Sequence, residues 1–251
     1  MNSRGIDSCK LLFPAEDCSF DARLTKKVYE IYSDFEDTAE IVKEYDSRPL
    51  VVSQLGIDTH YGVINLFGTR FVYILVNSKM LKDRYFESIN KNTVQIIYQF
   101  IKSQNIIDFT YEQFLNSTLT DVDIKTDFDM TDEAFYKMLY DRKKSLVYPK
   151  FHSHRPNLGL EYCKRNSATP SNPYVKYYSK FAELDSRSKK FKEAYFPHFH
   201  NENLRRCEVT IRNHAHKQYI ESKLWKLPST LGEWCELSQD QYREIILHCV
   251  E

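Results

Sequence analysis

Residues 119–128 read Leu-Thr-Asp-Val-Asp-Ile-Lys-Thr-Asp-Phe. Side chains alternate across a strand, so Val122, Ile124 and Phe128 fall on one face and Asp121, Asp123, Lys125 and Asp127 on the other. Three carboxylates on one face repel unless solvent, a cation or basic neighbours compensate them. An edge strand with a solvated acidic face is one solution. A divalent-cation site is the other, because hard cations such as Mg²⁺ take carboxylate oxygens.

Working outward, two more segments carry the same alternation. In 205–212, Cys207, Val209 and Ile211 form an apolar face against Arg206, Glu208, Thr210 and Arg212. In 174–180, Tyr174, Lys176, Tyr178 and Lys180 stand together, an interleaving of aromatic and basic residues that suits single-stranded DNA. Further strands are expected at 50–52, 61–67, 70–76, 146–151 and 158–163, with a hairpin turn at Gly68-Thr69. Helices are expected over 90–104, 110–117, 131–144, 186–195 and 214–225, and two more close the chain. Thr131 is a plausible N-cap, and Ser238 with Gln241 reads as a capping box. Antiparallel hairpins with intervening helices give an α+β fold, mainly an antiparallel sheet with flanking helices.

The first 47 residues are acidic and polar and are expected to form a peripheral arm. Residues 48–226 are expected to form the main domain. Residues 227–251 are expected to form C-terminal helices at a truncated end, since the chain stops just after the apolar run Ile245-Ile246-Leu247.

The 251 residues carry 35 basic and 35 acidic side chains, a formal charge of zero that hides an asymmetry. Residues 1–140 sum to −7 and residues 141–226 to +11, with six of the eight His in the latter stretch. Such a division points to a polyanion-binding half. The 6 Gly include no G-x-G pair, which excludes a dinucleotide fingerprint and a P-loop. The 6 Cys form no C-x-x-C, and no apolar run reaches the length of a membrane span. A cytoplasmic protein with reduced thiols and no membrane partner is expected.

Four segments in order resemble the replication initiators of rolling-circle plasmids and phages, of the trans-acting Rep class. They are Asp-Val-Asp-Ile-Lys-Thr-Asp (121–127), Leu-Glu-Tyr-Cys-Lys-Arg-Asn-Ser (160–167), Tyr-Val-Lys-Tyr-Tyr-Ser-Lys-Phe-Ala-Glu-Leu (174–184) and Leu-Arg-Arg-Cys-Glu-Val-Thr-Ile (204–211). The resemblance implies a metal-dependent enzyme of the bacterial cytoplasm that nicks and rejoins DNA at an origin, single-stranded or in a hairpin, through a 5′-phosphotyrosine. It implies Mg²⁺ or Mn²⁺ on Asp123, Glu208, Asp121 and Asp127. Catalysis falls to Tyr162 as the nucleophile, with Tyr178 and Lys180 from the family's Tyr-x-Lys strand, and DNA contacts to Lys164, Arg165, Tyr174, Lys176, Arg206 and Arg212. Tyr162 precedes Cys-Lys-Arg where the family has a Gly, and strict spacing puts Glu161 in the nucleophile's place. A host helicase and a second copy of the chain are the further partners implied.

Three alternatives stay open. A non-catalytic DNA- or RNA-binding protein would keep the fold alone. A metal-dependent nuclease would use water and leave no adduct. A nickase of the two-histidine class would use His198 and His200 with Tyr219.

Overall fold

Nine strands pair antiparallel into one sheet, and the acidic strand quoted above lies near its middle. The computed structural model describes residues 4–25, 28–33, 40–45, 49–145, 149–151, 159–162, 174–185, 189, 192–193, 200–212 and 214–250. The strands are β1 (Arg4–Pro14), β2 (Ser19–Phe20), β3 (Val28–Ser33), β4 (Glu40–Tyr45), β5 (Leu50–Gln54), β6 (Ile57–Leu66), β7 (Thr69–Asn77), β8 (Ile107–Asp108), β9 (Thr118–Asp129), β10 (Pro149–Phe151), β11 (Gly159–Tyr162), β12 (Tyr174–Ser179) and β13 (Leu204–Ile211). The helices are α1 (Val94–Lys102), α2 (Tyr111–Leu115), α3 (Asp132–Ser145), α4 (Lys180–Asp185), α5 (His214–Glu221), α6 (Leu231–Cys235) and α7 (Gln239–Val250), with a 3-10 segment over Ser78–Glu87. The sheet order is β10-β11-β12-β13-β9-β1-β7-β6-β5, while β2 pairs with β8 and β3 with β4. This is an α+β architecture, as the alternation predicts.

The expected peripheral arm is overturned over its first strand. β1 lies inside the sheet, between β9 and β7. Its apolar residues Cys9, Leu11 and Phe13 alternate into the core, so this segment is a buried strand despite the acidity of the residues that follow it. The C-terminal helices share the same core, through Leu231, Trp234, Tyr242, Ile245 and Ile246.

Local chemistry fixes the element ends. Capping boxes open α2 (Thr110 with Gln113) and α6 (Thr230 with Glu233). The expected Ser238–Gln241 box opens α7, with Gln241 N donating to Ser238 Oγ at 3.2 Å and Ser238 N to Gln241 Oε1 at 2.9 Å. Each such box satisfies two otherwise orphaned backbone donors. The β6–β7 turn puts Phe67 and Gly68 at positive φ (51° and 82°), the backbone of a type I′ hairpin.

One sheet face is apolar and carries helices. The residues Ile124, Val209 and Val175 stand in register across β9, β13 and β12 and are all buried. Helix α3 packs there, with Phe135 under the Arg205 guanidinium (5.3 Å) and Arg142 over the Tyr177 ring (5.0 Å). Arg205 also pairs with Asp132 in the first turn of α3. The other face is polar over β1, β9, β13 and β12, and the 3-10 segment closes over it through Ser78, Tyr85 and Phe86.

Candidate functional site on the polar face of the sheet

Strand register assembles the site in transverse rows. Lys125, Glu208, Lys176, Glu161 and Lys150 stand opposite one another across β9, β13, β12, β11 and β10. Residue charge alternates along the row, and Lys176 and Glu208 pair across it. The row on one side is Asp127, Arg206, Tyr178 and Gly159, and on the other Ser8, Asp123, Thr210 and Tyr174. Gly159 is required beside Tyr178, because a Cβ there would lie 2.7 Å from the Tyr178 Cβ and 2.2 Å from the Tyr177 carbonyl oxygen.

Arg206, with 0% exposure, is the hub. Its Nε and Nη2 donate to Asp127 at 2.6 and 2.9 Å, and its Nη1 to Asp7 at 3.0 Å and the Tyr85 hydroxyl at 3.1 Å. Lys125, equally buried, donates to Asp127 at 3.0 Å. Burial alone would push the Asp7 carboxyl up, but the charges of Arg206, Lys125 and Lys180 outweigh it and hold the group well below the carboxylate range. The same contest, against Arg206 and Lys125, lowers Asp127. Burial, reinforced by Arg206, brings Lys125 down to about 8.

Asp7 reaches the network because the sheet is irregular there. The β1–β9 register shifts between Ile6 and Ser8 and again between Ser8 and Lys10. These bulges let consecutive residues work on one side: Asp7 meets Arg206, while Ser8 Oγ donates to Asp123 Oδ2 at 2.6 Å. On β9 the irregularity leaves Asp121 at φ 50°, 3.8 Å from Arg212 and outside the rows.

The tyrosines and lysine of β12 extend the network. Tyr178 donates its hydroxyl to Glu208 Oε1, and Lys176 pairs with Glu208 Oε2. Tyr174 donates to Glu161 at 3.0 Å, so two Tyr–Glu pairs flank Lys176. The Lys176 ammonium is 5.9 Å from the Tyr178 ring centre and 5.7 Å from that of Tyr174. Lys180, paired with Glu183, lies 5.6 Å from the Tyr178 ring and 5.0 Å from that of Tyr85. Burial first, then the Glu208 charge, raises the Tyr178 hydroxyl well above the tyrosine range. Burial opposes the charge on Lys176, but Glu208 and then Asp123 outweigh it and raise the ammonium.

The structure therefore brings together Asp123, Asp127, Tyr174, Lys176, Tyr178, Lys180, Arg206 and Glu208. It sets Asp121 and Arg212 apart at the bulge. Tyr162 stands in register with Val175, in the row of Val209 and Ile124, whereas Glu161 occupies the charged row. Lys164, Arg165 and His198 lie outside the described residues. His200 is exposed, 3.4 Å from Glu202, and Tyr219 stacks on His248 at 5.6 Å.

Asp7, Ser8, Ser78 and Tyr85 join the site without any motif to announce them. The alternation Cys9, Leu11, Phe13 is the signal that marks β1 as a core strand and so places Asp7 and Ser8 beside β9.

The donor set suits a hard divalent cation in part. Asp123 accepts from the hydroxyls of Ser8 and Thr210 (2.6 and 2.5 Å), and Glu208 is its diagonal neighbour on the adjacent strand. Mg²⁺ is commonly held by one or two carboxylates together with substrate phosphates, which these two residues match. Asp127 does not fit, since it is closed to solvent and paired with both Arg206 and Lys125; a cation on Asp123 and Glu208 would displace Ser8 and Thr210 from the first and Tyr178 and Lys176 from the second. Among the described residues, no three carboxylate, imidazole or thiol groups converge as a complete cage. No helix among these residues is long and apolar enough to cross a membrane. Comparison with protein-family models, curated proteins and solved structures gave no match.

Proposed function

We propose that this chain is an origin-specific DNA-nicking and joining protein that initiates rolling-circle replication through a 5′-phosphotyrosine. One observation carries the reading. The described parts of the four segments that resemble the Rep class include the neighbouring strands β9, β13, β12 and β11, and Asp127, Arg206, Glu208, Tyr178, Lys176 and Glu161 share one polar face. Each segment is unspecific alone, and their convergence supports a common role.

The nucleophile is the Tyr178 hydroxyl. It attacks the scissile phosphorus, Glu208 Oε1 accepts its proton, and a phosphotyrosine bond forms as the phosphorus–O3′ bond breaks. Lys180 donates a proton to the departing 3′-oxygen. The freed 3′-OH primes synthesis, and its return attack rejoins the strand with the same groups reversed. Lys176 and Lys180 neutralise the charge that develops on the phosphate, a contribution that is large in a water-poor site. Asp123 and Glu208 would hold Mg²⁺ or Mn²⁺, whose chemistry is to polarise the phosphoryl oxygen. An origin presented as a single strand or hairpin is the substrate, with a host helicase and a second copy of the chain as further partners.

The test is incubation with supercoiled DNA bearing candidate origins and Mn²⁺. Nicked circles carrying detergent-resistant protein are expected. Nicks without adduct would indicate a water-using nuclease instead.

A second reading, a non-catalytic nucleic-acid-binding protein, draws on the depth of burial of Arg206, Lys125 and Asp127 (0–1% exposed). Buried ion pairs can serve chiefly to fix strand register. It predicts salt-sensitive DNA binding with neither nick nor adduct.

A further inference from the structure

Beyond β1 the polar face continues across β7, β6 and β5 and changes character. Phe71, Tyr73 and Leu75 alternate with the core residues Val72, Ile74 and Val76, and Ile64, Gly62 and His60 of β6 stand opposite them. Among the described residues, Phe71, Tyr73, Leu75 and Ile64 belong neither to the core nor to the hydrophobic side chains packed against it. Leu75 is 37% exposed and Val51, opposite His60, is 48% exposed. Contiguous apolar surface of this kind marks a binding face.

Three observations bear on its chemistry. A Cβ on Gly62 would lie 2.5 Å from the Tyr73 ring, so the ring rests directly on bare backbone. The Lys10 ammonium stands 4.3 Å from the centre of the same ring. A groove of about 740 Å³, whose wall includes Lys10, His60, Tyr73, Lys79 and Arg212, reaches Asp7 and Ser8, at the edge of the network held by Arg206. Of its three acids, Asp7 is held by Arg206, Asp121 lies 3.8 Å from Arg212, and Asp58 is exposed at the rim.

We propose that this open face is a platform for single-stranded DNA, with one base stacked on Phe71, another taking the Tyr73 face that the Lys10 ammonium now covers, and phosphates met by Lys10, turned outward, and Lys79. Aromatic faces beside cations bind single strands with little regard to sequence. The platform lies in the half of the chain whose net charge is −7, so net charge does not reveal it. It deepens the proposed nicking function by holding the strand on the same sheet face as Tyr178, and rests on that function for its role.

The experiment uses the full chain, a short fluorescein-labelled oligo(dT), and no metal. Anisotropy should show binding, and Tyr73→Leu or Gly62→Ala should weaken it about tenfold, the scale of one lost base stack. Lys10→Gln should weaken it and flatten its salt dependence. An oligonucleotide carrying 5-bromouracil should photo-cross-link to Phe71 or Tyr73. Unchanged affinity in all three variants, or cross-links confined to β12 and β13, would overturn the proposal. So would a change of oligomeric state in Tyr73→Leu with oligo(dT) binding intact, which would mark the face as a contact between copies. If Tyr73→Leu fails to fold, Lys10→Gln and the cross-links on the parent protein decide. This assay scores binding without cleavage, so it can fail while DNA nicking succeeds, and the reverse.

Discussion

Arg206 and Asp127 stand directly opposite each other on β13 and β9, joined by two parallel hydrogen bonds of 2.6 and 2.9 Å. Both are closed to solvent. This bidentate fork fixes the register of the two central strands, and a slip of one residue would turn Arg206 into the apolar core. It also commits both oxygens of Asp127 to the guanidinium that stands opposite Tyr178 in the sheet, so the metal role that the resemblance implies for Asp127 does not fit.

Arg206→Met should therefore destabilise the protein severely. It leaves Asp127 and Asp7 buried without their principal partner, a loss of about 3–5 kcal/mol. Urea unfolding checks this. A midpoint near that of the parent would mean that Lys125 and solvent compensate both acids.

Stability should fall steeply in acid. The folded-state pKa values of Asp7 and Asp127 are depressed, so their contribution is complete above the unfolded carboxyl value of about 3.9. It is lost as pH drops below that value through the folded pKa values, because the unfolded chain then binds more protons. Asp7→Asn should be less stable than the parent at pH 7 yet show a shallower decline below pH 4. Thermal unfolding against pH reads both effects, and parallel curves would contradict the assignment.

The carboxylates should separate by role. Asp123→Ala and Glu208→Ala are expected to abolish nicking and Mn²⁺ binding while DNA binding persists. Asp121→Asn should leave Mn²⁺ binding intact, since Asp121 lies at the bulge beside Arg212. Titration followed by Mn²⁺ paramagnetic resonance distinguishes them.

Much of this was legible in the sequence, and the exceptions have physical causes. Alternation located β9, β12 and β13 within a residue or two, because period-two patterning states which face is buried. It also put Asp123, Glu208, Lys176 and Tyr178 on polar faces. Alternation fails at a bulge, so Asp121 and Asp123 read as neighbours although only Asp123 enters the rows, and Asp7 was invisible. The β1 strand was hidden by its acidic surroundings, since composition averages over the few core residues that decide a strand. The pairing of Asp127 with Arg206 depends on register between distant segments, which no single segment contains. Tyr162 illustrates the same limit: its one-residue offset from Glu161 moves it to the row of Val175.

The assignment of Tyr178 makes a sharp distinction among tyrosines. Tyr178→Phe should lose all covalent adduct, whereas Tyr162→Phe should retain it and Tyr174→Phe should retain it with weaker DNA binding. Gel separation of labelled DNA–protein complexes after detergent treatment compares the three.

The most direct measurement is mass spectrometry of the nuclease-trimmed adduct formed on origin DNA with Mn²⁺. The account predicts a nucleotide attached through phosphate to Tyr178. A nucleotide on Tyr162, or nicked DNA with no modified tyrosine, would contradict it.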